Sequence, residues 1–279
     1  MIGIRLVLTM GHDRFKEGST SHGSLAVSPD GRCFATATEY CDIALWDTHT
    51  GAHIATLEHA GETYSLEFLA DGHLTSGNDD GKVSVWDTVT GTHVRTVDAH
   101  SDEITGLSAS QSKLASGSKD KKVRVWDTET WECMRMFECD QEVVSVVLYP
   151  NGDRVAACTN WMLYVWNTET QQLIASKNIN YCQSVAVSND GKWLAVASDV
   201  YDASTFDCIW SHRRGSDSVS FSPDSSQLVS ASYIDDKVSL IDVQTGKIVK
   251  SFQHDLGWRA IFSHDGTRVL SGESCSVAL

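Results

Sequence analysis

The stretch Val83-Ser-Val-Trp-Asp-Thr-Val-Thr-Gly91 decides the reading of this chain, because it returns at a fixed interval. Forty residues later stands Val123-Arg-Val-Trp-Asp-Thr-Glu-Thr130, and forty earlier Ile43-Ala-Leu-Trp-Asp-Thr-His-Thr-Gly51. A fourth copy, Leu163-Tyr-Val-Trp-Asn-Thr-Glu-Thr170, lies forty further on. Each begins with strand-type alternation and passes through a polar turn into another strand, such as His93-Val-Arg-Thr-Val97. Self-similarity at this period marks a repeat architecture.

A second marker recurs out of phase with the first. Ser28-Pro-Asp-Gly31, Ala70-Asp-Gly72, Tyr149-Pro-Asn-Gly152, Ser188-Asn-Asp-Gly191, Ser222-Pro-Asp-Ser225 and Ser263-His-Asp-Gly266 read as hairpin turns. Ser110-Gln-Ser112 holds the equivalent place near residue 110. The spacings of 41, 40, 40, 39, 34 and 41 give seven units. Four short strands per unit make a sheet that buries too little alone, so neighbouring sheets must stack. The interval of 34 leaves the fifth unit about six residues short. Either Tyr201-Asp202 or Phe206-Asp207 replaces the Trp-Asp pair there, and an irregular outer edge is expected.

The units resemble the WD-repeat family of β-propellers over essentially the whole chain. The resemblance implies an all-β fold, one domain over residues 1–279, with seven four-stranded blades. Residues 4–12, Ile-Arg-Leu-Val-Leu-Thr-Met-Gly-His, match the fourth strand missing after Leu279. The N-terminal strand is therefore expected to complete the last blade and remove an open edge. The resemblance also implies a buried polar tetrad in two units. These are His59, Ser76, Asp80 and Trp86 in the second, and His100, Ser116, Asp120 and Trp126 in the third. Such networks stabilise when every member is satisfied. These residues therefore read as structural rather than catalytic. Other units depart from the pattern: Tyr40 in the first, Cys139, Ala156 and Asn160 in the fourth, and Ile241 in the sixth, which keeps His212, Ser230 and Asp235.

Composition narrows the function. The charge of 22 basic against 37 acidic residues, net −15, disfavours nucleic acid and anionic membrane as partners. No apolar run reaches the roughly 20 residues of a membrane span, and residues 1–10 lack a signal-peptide core. A monomeric protein of the cytoplasm, or alternatively of the nucleus, is expected. The eight cysteines are scattered without C-x-x-C and read as reduced thiols, not a zinc site. No GxGxxG, phosphate-binding loop, HExxH or GxSxG occurs, so neither a cofactor nor a catalytic set is expected.

In the WD-repeat family, the face that carries the loops between repeats commonly receives peptides or partner domains. The matching positions here are Glu39, Glu62, Tyr64, Asp79, Glu103, Lys119, Glu142, Tyr181, Gln183, Asp217, Trp258 and Glu273. Seven carboxylates beside three large aromatics suit a basic partner. The expected function is a protein-interaction scaffold gripping a basic peptide or protein. One alternative is the recognition domain of a larger protein, such as an immune-type nucleotide-binding or ubiquitin-ligase subunit. Another is an enzyme or small-molecule binder using the central channel, since groups from separate blades leave no local motif.

Overall fold

The computed structural model describes residues 24–37, 42–58, 61–212, 216–232, 234–253, 259–273 and 276–278. They form six four-stranded antiparallel blades, each a meander from an inner to an outer strand, and a three-stranded terminal sheet. In the third blade the strands are Ile104–Ser110, Lys113–Ser118, Lys122–Asp127 and Cys133–Glu138. Alternation explains the stacking: Val123 and Val125 bury against Val146, Val155 and Trp166 of the next blade. Ile43 and Leu45 likewise bury against Phe68, Leu74 and Trp86.

The expectation of seven four-stranded blades is corrected to six. The terminal sheet holds only Arg259–Phe262, Val269–Glu273 and Ser276–Ala278. The seventh hairpin turn is present, with the Gly266 N–H donating to the Ser263 carbonyl at 2.9 Å, but a turn requires only the two strands it joins. The N-terminal strand expected to complete this sheet lies outside the described residues. The terminal sheet nonetheless meets the first blade. Leu270 packs with Phe34 and Trp46, and Arg268 Nη1 donates to the Thr48 carbonyl at 2.7 Å.

The aspartate of each Trp-Asp pair closes its turn. Asp127 Oδ1 accepts the N–H groups of Glu129 at 3.0 Å and Thr130 at 2.8 Å. Asp47, Asp87 and Asn167 repeat the arrangement. Asp202 does so in the fifth blade, which settles Tyr201-Asp202 as the replacement pair. The carboxyls of Asp47, Asp87 and Asp127 are held below the usual range, first of all by these backbone N–H donors.

Inner strands are linked by a ladder of side chains. Leu107 N donates to Ser65 Oγ at 2.9 Å, Leu148 N to Ser108 Oγ at 3.0 Å and Val185 N to Ser145 Oγ at 3.3 Å. Val219 N reaches Ser184 Oγ at 3.2 Å, and Ala260 N reaches Ser218 Oγ at 3.3 Å. Strand-edge amides that lack a ladder partner in their own sheet are thus satisfied by the preceding blade.

Outer strands share a different device. In all six blades one residue is squeezed out of register opposite the Trp-Asp strand: Ile54, Val94, Met134, Ile174, Ile209 and Val249. Such a bulge blunts an edge that would otherwise template pairing with another chain.

The fifth blade has all four strands; its outer strand, Cys208–Ser211, is the shortest of the six, and the deficit itself lies in the middle hairpin. Its second and third strands, Trp193–Val196 and Asp199–Asp202, are paired from Trp193↔Asp202 to Val196↔Asp199. The closing pair is nine residues apart, against 14 for Lys113↔Asp127 and Cys33↔Asp47. The missing residues come from the tip of this hairpin.

Candidate functional site

The polar relay is built in the third blade. Trp126 Nε1 donates to Ser116 Oγ at 2.9 Å, and the hydroxyl reaches His100 Nε2 at 2.7 Å. His100 Nδ1 faces both Asp120 oxygens at 3.0 Å. Arg124 Nη1 donates to the Ala99 carbonyl at 2.5 Å and to Asp120 Oδ2 at 3.3 Å. Burial pushes His100 towards its neutral form, which suits an Nε2 that accepts from Ser116. Burial pushes Asp120 upward, but His100 and the N–H groups of Ser101 and Lys122 outweigh it and keep the carboxyl low. Every member has a partner, so the group fastens the blade and leaves no spare base for chemistry.

The second blade differs. Trp86 Nε1 donates to Ser76 Oγ at 3.0 Å, as expected, and His59 lies outside the described residues. Asp80 is half exposed and pairs with Lys82 Nζ at 2.5 Å instead of entering a buried relay. In the sixth blade His212 Nε2 donates to the Gly246 carbonyl at 2.8 Å, and Ser230 pairs with Ser216.

The candidate face is where chain segments enter the inner strands and where the turns between second and third strands sit beside them. Two backbone bonds fix this level: Asp79 N to the Glu62 carbonyl at 3.2 Å, and Lys119 N to the Glu103 carbonyl at 3.0 Å. The second and third blades thereby bring five expected residues together. Tyr64 donates its hydroxyl hydrogen to Glu62 Oε2 at 2.6 Å. Burial, the bond to Glu62 and the charges of Glu103, Glu62 and Asp79 push the Tyr64 hydroxyl far above its usual range. Lys119 Nζ donates to Glu103 Oε2 at 2.7 Å, with the glutamate side chain only 15% exposed. This bond raises the Lys119 ammonium against its burial, and the charge of Glu142 adds to the effect. Glu142 therefore joins the same field.

A second group lies between the fourth and fifth blades. Gln183 Nε2 donates to the Tyr181 hydroxyl. The Tyr181 ring lies 6.0 Å from that of Trp161, inclined at 60°. Both rings are about half exposed, at 51% and 53%. Trp161 was not among the expected residues, because it falls two places past the repeat position read for contact, Thr159. A tryptophan in a polar turn between two strands was the available signal.

Asp217 lies partly buried at the entry to the inner strand of the sixth blade, its N–H donating to the Ala231 carbonyl at 2.9 Å. Glu273 ends strand Val269–Glu273. Glu39 and Trp258 lie outside the described residues. Among the described residues, no group of three or more His, Cys, Asp or Glu side chains is placed to hold a metal ion. No described helix is long and apolar enough to cross a membrane.

Comparisons with known proteins agree on the architecture. Residues 51–87 match the WD domain, G-beta repeat family, and residues 100–162 match the TEP-1 C-terminal beta-propeller. An uncharacterized WD repeat-containing protein of Synechocystis sp. is 27% identical over 113 residues. That match takes in 37% of this chain and 32% of the relative, so the chain covers about a third of that protein. A chain in the crystal structure of the mitotic checkpoint complex superimposes with a TM-score of 0.86. The likeness covers 97% of this chain and 92% of that one at 18% identity, a similarity of fold. Repeat pattern, blade topology and family matches converge on a β-propeller of the WD-repeat type, with the WD repeat itself matched over residues 51–87.

Proposed function

We propose that this protein is an interaction scaffold whose acidic, aromatic face receives a basic peptide or protein. The observation that supports this most is the setting of Tyr64, an aromatic ring crowded by Glu62, Asp79 and Glu103. An apolar body with its polar tip among carboxylates suits the stem and charge of a lysine or arginine. The net charge of −15 extends that negative field and favours a basic protein over nucleic acid. Association should be fast at low salt and slow as salt rises. The experiment is capture of fluorescent hexa-lysine and hexa-arginine peptides between 50 and 300 mM salt, on the order of the range over which screening changes. Glu62→Lys should weaken capture of both. Binding indifferent to salt and to this substitution would remove the proposal.

A second reading, a recognition module within a larger protein, draws on the match to the TEP-1 C-terminal propeller. It is compatible with the first, because the same face would then serve the larger chain.

A further inference from the structure

The shortened hairpin of the fifth blade opens the candidate face at one place. In the second and third blades the hairpin tip bonds beside the residue entering the inner strand, Asp79 beside Glu62 and Lys119 beside Glu103. Tyr181 occupies the matching place in the fifth blade, by the spacing of Glu103 to Gly106 and Tyr181 to Ser184. Yet the tip residue Ala197 bonds to the Ser184 carbonyl at 2.9 Å, three residues further along the inner strand. At about 3.3 Å per residue, the described wall beside Tyr181 stands roughly 10 Å lower than its counterparts.

What the step leaves uncovered is not ordinary surface. Tyr181 and Trp161 hold their rings 6.0 Å apart with half of each exposed, and Gln183 braces the Tyr181 hydroxyl from below. The fourth blade contributes Trp161 through its own turn, where the Ile179 N–H donates to the Trp161 carbonyl at 2.9 Å. The Cys182 N–H donates to the Asn160 carbonyl at 3.1 Å. Both aromatic residues are thus tied by backbone to one junction, and their exposure does not reflect a loose loop. Rigid, half-exposed aromatic rings are the composition of an affinity-determining spot.

We infer that this step between the fourth and fifth blades seats one arginine side chain of the basic partner, stacked against Trp161 and Tyr181. The inference rests on the basic-partner reading above and assigns the work within it. The acidic group around Glu62 and Glu103 draws the partner in, and the aromatic pair holds it. Arginine is preferred to lysine because a planar, weakly hydrated guanidinium stacks on a ring face, whereas an ammonium stays hydrated. Steering charges act mainly on the association rate, and a packed contact acts on the dissociation rate.

The test compares hexa-arginine and hexa-lysine on the whole protein by stopped-flow fluorescence. Wild type should hold hexa-arginine about two- to fivefold more tightly, the factor of one exposed cation–π contact. Trp161→Ala should erase that ratio by speeding hexa-arginine release, with the salt dependence of association unchanged. Trp161→Phe should keep part of the ratio, and Tyr181→Ala should lower it. Glu62→Gln should do the reverse, slowing association of both peptides and preserving the ratio. Unaltered melting temperatures show that the variants are folded. An arginine-to-lysine ratio that survives Trp161→Ala, while Glu62→Gln still slows both peptides, overturns the arginine seat and leaves the acidic face standing. Failure of wild type to bind either peptide overturns both.

Discussion

His100 and Asp120 meet at 3.0 Å with side chains 0% and 4% exposed, whereas Asp80, one repeat earlier, faces solvent with 49% of its side chain exposed. The same residue type at the same repeat position therefore carries unequal weight. Asp120→Ala strips a sealed histidine and Arg124 of their anion, and should cost about 3–5 kcal/mol of folding stability. Asp80→Ala loses, among the described residues, an exposed pair with Lys82 and should change stability by no more than about 1 kcal/mol. Chemical denaturation of both variants checks the contrast, and equal losses would refute the unequal relay.

The reason for that inequality shows where sequence reading stops. In the third blade Asp120 Oδ1 accepts the Lys122 N–H at 3.0 Å, and Ser118 Oγ accepts the Asp120 N–H. In the second blade Asn78 stands at the place of Ser118 and takes the Lys82 N–H itself at 2.8 Å. Asp80 is left to turn outward. A local competition between two acceptors for one N–H is invisible to a motif that counts His, Ser, Asp and Trp. By contrast, the Trp-Asp turns and the stacked sheets follow from spacing, and the Trp–Ser bonds from what the family resemblance implies. The shortened fifth unit was legible as a deficit, but only strand register shows which hairpin lost the residues. Trp161 lies off the repeat positions that mark contact, and its partner ring, Tyr181, comes from the next repeat, so no local pattern in the sequence joins them.

Glu67 lies on the inner strand of the second blade, where its carboxylate accepts the Ala109 N–H at 3.0 Å. Burial raises its pKa to about 7, outweighing that hydrogen bond. An acid whose folded value is raised binds its proton more tightly in the native state. Its contribution is present below the unfolded value of 4.5 and is lost as pH rises through 7. Glu67→Gln keeps an acceptor for Ala109 without the charge. The variant should exceed wild type in stability at pH 8 by up to about 3 kcal/mol, and the gap should close towards pH 5. Paired melting curves at the two pH values isolate this group, because all other titrations cancel in the difference.

Ser65→Ala removes the acceptor for the Leu107 N–H, one rung of the ladder that joins successive inner strands. The hydroxyl is buried, and the amide it leaves behind belongs to a residue 7% exposed. An unsatisfied buried amide should cost about 1–3 kcal/mol. The sharper readout is local: amide exchange at Leu107 should accelerate beyond the change in global stability. Uniform acceleration across the third blade would show that the rung contributes only to the whole.

Lys119 occupies the acidic face with the protein's own cation, its Nζ seated 2.7 Å from Glu103. A partner's basic side chain arriving at Tyr64, Glu62 and Glu103 must share that carboxylate with it. Lys119→Gln frees Glu103 and makes the local field more negative by one charge, so hexa-lysine should bind more tightly. The pair is partly buried, with Lys119 40% and Glu103 15% exposed, so the worth of an exposed pair, about 0.2–1 kcal/mol, sets a floor of roughly 1.4- to 5-fold on the gain. Lys119→Arg should leave affinity near wild type, because the competing cation remains. The gain should appear in the association rate and shrink as salt rises, in keeping with steering rather than with a new packed contact. A gain confined to the dissociation rate would mean that Lys119 shapes the contact surface, and its charge would then not be the reason for its effect.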